Sequence, residues 1–201
     1  MVDCGSGLGM RQGEVFGLAV DDIDFLRRVV HVRRQVKIVG GRLAFGPPKG
    51  GRERDVPLPG SVGLRLSAHI AEHAPVAVTL PWRKPDGKPV TVRLVFASPA
   101  GLAVRRTSFD PREWKLALRA AGVPAGRENG FHALRHYLAS ALLHDGVSIR
   151  DLADHLGHGD PGFTLRTYTH LMPTSEDCMR EAIDRAFGQP VDRMMTQTAR
   201  D

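Results

Sequence analysis

The sequence predicts an α+β fold, mainly helical, with a small antiparallel three-stranded sheet at one edge. Three observations predict it. Residues 28–58 are rich in β-branched side chains and alternate in polarity over VHVRRQVKIV. That region is broken by Gly40-Gly41, a two-residue turn signal. From residue 110 onward the apolar spacing is helical, and the segments open at cap signals. A chain of 201 residues fits one domain, or one large and one small.

The elements follow in order. Gly5, Gly7 and Gly9 make the first ten residues too glycine-rich for a stable helix. Residues 11–20 read as helix, with Val15, Phe16, Leu18 and Ala19 on the apolar side. Residues 28–39 read as one strand and 42–45 as its return. Residues 46–51 form a Gly/Pro loop, and 53–58 a third strand. Residues 60–74 are helical through Val62, Leu66 and Ile70. Residues 75–101 are rich in Pro and Gly, with a short hairpin at Asp86-Gly87 and a strand over 91–97. Asp110-Pro111 reads as an N-cap with Pro at N1, opening a helix to Ala121. A helix over 130–144 stops at Gly146. Ser148 with Asp151 caps the next one, to Leu156. Asp160-Pro161 opens a helix ending near His170, and Pro173 closes that segment. The last helix, 176–187, places Met179, Ala182, Ile183, Ala186 and Phe187 on one face. Residues 189–201 read as a flexible tail.

Composition excludes several classes. No window approaches the roughly 18 apolar residues of a membrane span, and the N-terminus lacks signal-peptide organisation. Cys4 and Cys178 stand at opposite ends of the chain, outside any CxxC pair, which argues against a disulfide scaffold and a cysteine zinc site. A reducing cytoplasm is the expected compartment. The 28 Lys+Arg against 22 Asp+Glu give a net charge of +6, pointing to an anionic partner, with nucleic acid first.

Four segments carry groups able to do chemistry. GMRQGEVFGL holds Arg11 before a helix, and PPKGGRERDVPLP holds Lys49 at a hairpin tip. FHALRHYLASALL places His132 and Arg135 at i and i+3, on one helix face. HLGHGDPGFTLRTYTHLMP carries His158 and, ten residues later, Tyr168. In combination these motifs resemble the catalytic domain of the tyrosine recombinases, the phage-integrase family, in order and over nearly the whole chain.

The resemblance implies a site of Arg11, Lys49, His132, Arg135, His158 and the nucleophile Tyr168, acting on double-stranded DNA. It implies site-specific recombination through a 3′-phosphotyrosine, with no metal or other cofactor, guanidinium groups taking the cation's place. It also implies a catalytic domain over 1–188 in a cytoplasmic, nucleoid-associated protein, assembled as a homotetramer on DNA through the C-terminal helix. That helix has an equal alternative, packing on its own domain. Only ten residues precede Arg11, where family members carry a further helix and a separate DNA-binding domain. The chain is therefore expected to be N-terminally truncated, with exposed apolar surface or an unsettled Arg11 segment.

The residue chemistry agrees with that assignment. Attack on a phosphodiester builds charge on non-bridging oxygens, which two arginine forks can clamp. A phenol with a pKa of about 10 needs a proton acceptor or a positive field to attack. His132 is the candidate base, His158 a donor to the phosphate, and Lys49 the acid for the leaving 5′ oxygen. Glu14 is expected to orient Arg11. Lys37 competes weakly with Lys49. His132 and His136 have the i, i+4 spacing of a zinc pair, but Ala133 stands where HExxH has Glu. His136 and His155 are expected to pack or support, Tyr137 to lie in the core, and Arg105-Arg106 to be solvated. Two competing functions are a non-catalytic DNA-binding or interaction remnant and a type IB topoisomerase-like activity.

Overall fold

The computed structural model describes residues 1–168 together with Arg180, Ile183, Asp184 and Phe187. The expected helix over 176–187 and the tail over 189–201, those four residues apart, lie outside the described residues, as does the expected helix end at His170. Among the described residues the fold is mainly helical with small antiparallel sheets, as expected.

The N-terminus departs first. Val2–Ser6 is a helix, α1. Five residues containing a glycine have little helical stability of their own, so packing supplies it. Cys4 and Gly5 are buried as α1 lies against a later helix. A Cβ at Gly5 would stand 2.8 Å from Leu134 Cδ1, so the glycine permits the contact. Leu8 and Met10 are buried and Arg11 is tied down, contrary to the exposed or unsettled start expected.

The helix expected over 11–20 is shorter. It is α2, Gln12–Phe16, followed after Gly17 by a 3₁₀ turn at Val20–Asp22. Gly17 closes it because the chain passes close by: a Cβ there would lie 3.0 Å from Gln35 Cα.

The three-stranded sheet exists with different members. Strands β1 (Ile23–Asp24), β2 (Val29–Val32) and β5 (Arg54–Pro57) pair antiparallel in the order β1-β2-β5. The run 28–39 is two strands, because Arg33 and Arg34 turn toward Asp22, Arg34 through both nitrogens of its fork. Beyond that break, β3 (Gln35–Val39) pairs with β4 (Arg42–Gly46) as a separate hairpin. Its turn is Gly40-Gly41, both at positive φ, as the dipeptide predicts. Helix α3, Gly60–Glu72, follows. A further hairpin, β6 (Val76–Pro81) with β7 (Pro89–Leu94), occupies the Pro/Gly-rich stretch.

Asp110 is not an N-cap. The helix begins earlier, as α4, Arg106–Phe109, passes through a wide turn at Asp110–Trp114 and continues as α5, Lys115–Ala120. The Asp110 carboxylate instead accepts from Gln12 Nε2 at 2.6 Å and Arg106 Nε at 3.1 Å. Its own backbone is already helical, φ −57° and ψ −48°, whereas an N-cap residue is extended. Helix α6 spans His132–His144 and buries Arg135, Ala139 and Leu143. Helix α7 spans Ile149–Leu156, capped by Ser148, whose hydroxyl accepts from the Asp151 N–H at 3.1 Å. It ends at Gly157 in the left-handed conformation, φ +64°. Helix α8 is Pro161–Tyr168.

Buried apolar residues form two clusters. The larger one joins α1, α2, the strands, α3 and the approach to α6, from Leu8 through Phe45 and Leu94 to Phe131. The smaller one lies among α6, α7 and α8, with Ala139, Leu143, Leu152, Leu156 and Tyr168. Tyr137, expected in the core, is 67% exposed. The α6 face that turns inward carries Arg135, Ala139 and Leu143, and Tyr137 lies off it.

Candidate active site

Arg11 is held by what caps α2. Its backbone N–H donates to Glu14 Oε2 at 2.9 Å, and its guanidinium donates to Glu14 Oε1 at 3.1 Å. Its other terminal nitrogen stands 3.5 Å from the Gly157 carbonyl. Glu14 therefore orients Arg11, as expected. The carboxylate is fully buried and is also gripped by both terminal nitrogens of Arg54, at 3.1 and 2.8 Å. Burial pushes the Glu14 carboxyl up, but the hydrogen bonds and charge of Arg54, with Arg11, hold it below its ordinary value.

Arg135 is 1% exposed. It donates to the carbonyls of Gly9 and Leu156, and stands 3.1 Å from His158 Nε2. Burial, reinforced by Arg11 and Arg54, presses its pKa down to about 9, so it stays charged at neutral pH. Arg54 Nε donates to the His155 carbonyl at 3.0 Å. Three consecutive carbonyls at the end of α7, on His155, Leu156 and Gly157, thus face three arginines. That is the negative end of the helix dipole.

The α7 terminus delivers His158. Its Nδ1 lies 2.6 Å from Thr164 Oγ1. A guanidinium only donates, so His158 Nε2 accepts from Arg135 and Nδ1 carries the proton toward Thr164. His158, expected to donate to a phosphate, thus presents Nε2 as an acceptor. Burial and the charges of Arg135, Arg11 and Arg54 lower the His158 pKa to about 4. His132, at the start of α6, is lowered to about 4 by burial, His136, Arg135, Arg11 and Lys49. Both imidazoles are neutral at pH 7.

Tyr168 ends α8 with 2% exposure, under the ring of His136, their centroids 5.5 Å apart. His136 stands edge-on to His132 at 4.7 Å. Burial raises the Tyr168 pKa, and Arg135 and Arg11 pull against that rise.

Arg11, Lys49 and His132 line one cleft of about 790 Å³, with Lys37, Arg106, Lys115 and Arg127 along its walls. Lys49 is exposed, in the loop from β4 to β5. Because β4 and β5 belong to different sheets, Lys49 sits on a linking loop and not at a hairpin tip. Lys37 lies across Gly46 in the same cleft. His158 opens on a second cavity of about 700 Å³ between β5, α6 and α7. Arg135 and Tyr168 line neither of these two cavities. The six expected residues are neighbours, joined by contact or by charge. Arg105 and Arg106 are less free than expected, donating to the Gly41 carbonyl and to Asp110.

Sequence reasoning passed over Arg54 and Thr164. Arg54 had a signal, an arginine in a strand whose neighbour Val56 is core. Thr164 had none, since one threonine in a short helix carries no pattern.

The sequence matches the phage integrase family over residues 2–174. It is 28% identical over 202 residues to a tyrosine recombinase XerC-like protein of Caldanaerobacter subterraneus, covering 90% of this chain and 47% of that one. It is 29% identical over 165 residues to tyrosine recombinase XerD of Staphylococcus epidermidis, covering 81% and 46%. The chain spans about half the length of these curated relatives. In fold it resembles the Tn1549 transposon integrase in complex with circular intermediate DNA, with a TM-score of 0.72 at 21% identity, covering 92% of this chain and 58% of that one. It also resembles the XerH recombinase bound to difH substrate, with a TM-score of 0.59 at 18% identity, covering 91% and 44%.

Proposed function

The chain belongs to the phage integrase family, and we propose that it supplies the catalytic domain of a site-specific recombinase that breaks and rejoins double-stranded DNA. The domain corresponds to residues 1–188, with Arg11, Lys49, His132, Arg135, His158 and Tyr168 as the site. The observation that carries the reading is the buried guanidinium of Arg135, paired with His158 and close in charge to Arg11 and Tyr168. A cation that deep is costly unless it is hydrogen-bonded, as Arg135 is to the Gly9 and Leu156 carbonyls, and groups so perturbed cluster at functional sites.

The reaction follows from those groups. Arg11 and Arg135 hold the non-bridging oxygens of one phosphodiester and bear the charge of the transition state. The Tyr168 oxygen attacks phosphorus and its proton passes to His132, neutral at pH 7 and so able to accept it. The bond from phosphorus to the 5′ oxygen breaks, and Lys49 gives that oxygen its proton. The products are a 3′-phosphotyrosine and a free 5′-hydroxyl. The ester bond is conserved, so the reverse step rejoins a strand without an energy source. A bound phosphate is an anion and raises the basicity of His132 and His158. Protonated, His158 turns from acceptor to donor at that phosphate.

The partner is double-stranded DNA, with the basic walls of the 790 Å³ cleft as the contact surface. The active assembly is a homotetramer on DNA, joined through the segment 176–187, whose apolar spacing predicts a helix. Ile183 and Phe187, on its apolar face, are 50% and 84% exposed. The compartment is the cytoplasm, at the nucleoid. Among the described residues no helix is long and apolar enough to cross a membrane.

The test is incubation with a nicked suicide DNA substrate and a search for a covalent protein–DNA adduct. Wild type forms one, and Tyr168→Phe forms none while binding DNA equally. If no adduct forms on any DNA, with the family's separate DNA-binding domain supplied alongside, the activity is absent and the chain is a non-catalytic DNA-binding remnant.

A further inference from the structure

Among the described residues, Arg54 is a cation that touches the supports of several site residues while lying at none of their reacting ends. It sits on β5, with 7% of its side chain exposed. Its terminal nitrogens hold both oxygens of Glu14, the carboxylate that orients Arg11. Its Nε holds the His155 carbonyl, three residues before His158. Its stem fills the space beside Gly157, where a Cβ would lie 2.9 Å from Arg54 Cδ. In sequence it stands five residues after Lys49, and it is the first residue of β5, where the Lys49 loop ends.

We propose that Arg54 is a positioning residue, setting the spacing between Arg11, the α7 terminus that carries His158, and the base of the Lys49 loop. This rests on the strand-transfer reading above. The chemistry favours arginine for the place. Three donors in one plane can serve a carboxylate and a carbonyl together, whereas a lysine ammonium is a point charge that cannot match that fork. Glu14 would otherwise be a buried carboxylate with Arg11 as its sole cationic partner, and the ion it orients would be free to swing. The amides of Gly157 and His158 bond back to Asp154 and Ala153, at 3.0 and 2.9 Å, so a displaced α7 terminus displaces His158.

Arg54→Met and Arg54→Lys are compared with wild type and with Val56→Ala, a neighbouring core change on β5. Adduct formation is timed on saturating suicide DNA. Arg54→Met is expected to react about 100-fold more slowly, the scale of a misplacement near 1 Å, with DNA affinity unchanged. Arg54→Lys recovers part of the rate. Val56→Ala melts earlier and keeps the wild-type rate, which separates positioning from stability. His158→Gln combined with Arg54→Met is slower than His158→Gln alone, but by less than Arg54→Met slows the wild type, because part of the Arg54 effect acts through His158. A wild-type rate in Arg54→Met, a Val56→Ala enzyme equally slow, or losses that multiply in the double variant would each overturn the proposal.

Amide hydrogen exchange on the chain without DNA reads the same residue independently of activity. Both Arg54 variants speed exchange at Gly157 and His158, and Val56→Ala does not. Unchanged exchange there overturns the positioning role. Faster exchange in a chain whose wild type forms no adduct supports it and sinks the strand-transfer reading alone.

Discussion

The larger apolar cluster packs strands against α1, α2 and α3, and its members Met10 and Val15 flank the segment that carries Arg11. The smaller cluster is built from three helices and buries Tyr168 among Leu143, Leu152 and Leu156. The first gives Arg11 a support with contacts on many elements. The second gives Tyr168 a seat at the end of an eight-residue helix. Arg135 belongs to both, since one terminal nitrogen donates to Gly9 before α2 and the other to Leu156 at the end of α7. In the proposed reaction, the firmer support would hold the phosphate clamp and the slighter one a tyrosine that travels with its DNA. Local opening costs least where buried contacts are fewest.

The sharpest way to break this comparison is Arg135→Ala. It removes a buried cation bonded to both regions and leaves two carbonyls without partners. The expected cost is about 3 kcal/mol of stability, with loss of the covalent adduct. Chemical denaturation and the suicide-substrate assay measure the two effects, and wild-type stability would mean that Arg135 does not join the two regions. Leu152→Ala comes next. It opens a cavity beside Tyr168 at about 2–4 kcal/mol. If the small cluster is what seats the nucleophile, Tyr168 becomes reactive to nitration while Arg11 keeps its support. An equally protected Tyr168 would contradict that.

Acid probes the junction between the regions. His132 and His158 have pKa values lowered from 6.5 to about 4. Their neutral forms are favoured in the folded state, so their contribution to stability is fully present above about pH 6.5. It is lost as the pH falls toward 4, because the unfolded chain takes up the protons first. Melting temperature should fall over that window, and His158→Gln should flatten the fall. Bound DNA opposes it. The smallest effect belongs to Tyr137→Ala, an exposed position, at under about 0.5 kcal/mol. A larger loss by denaturation would show that the two tyrosines are less different than their burial says.

The six residues proposed for the site are legible in the sequence, because their identities and order are local facts. The sequence carried the Gly40-Gly41 turn and the Ser148 cap for the same reason, since both rest on neighbouring residues, whereas Asp110 failed as a cap because the helix starts before it. It misjudged α1, whose helix depends on Gly5 lying against Leu134, a contact 129 residues away. It misjudged the sheet, because two arginines reaching Asp22 break the run 28–39, and periodicity does not see an ion pair. It reversed Tyr137, because on a helix with a shallow polarity gradient the inward face is chosen by packing partners.

By itself, then, the sequence determined which groups could act on a phosphodiester and in what order they occur. Residue types and short spacings set both. Only the tertiary structure decided that His158 Nε2 is an acceptor, that Tyr168 is covered, and that Arg54 binds Glu14 to the end of α7. Those are statements about distance and burial between segments far apart in the chain. No local pattern encodes them, because they arise only when the two apolar clusters close on each other around buried charge.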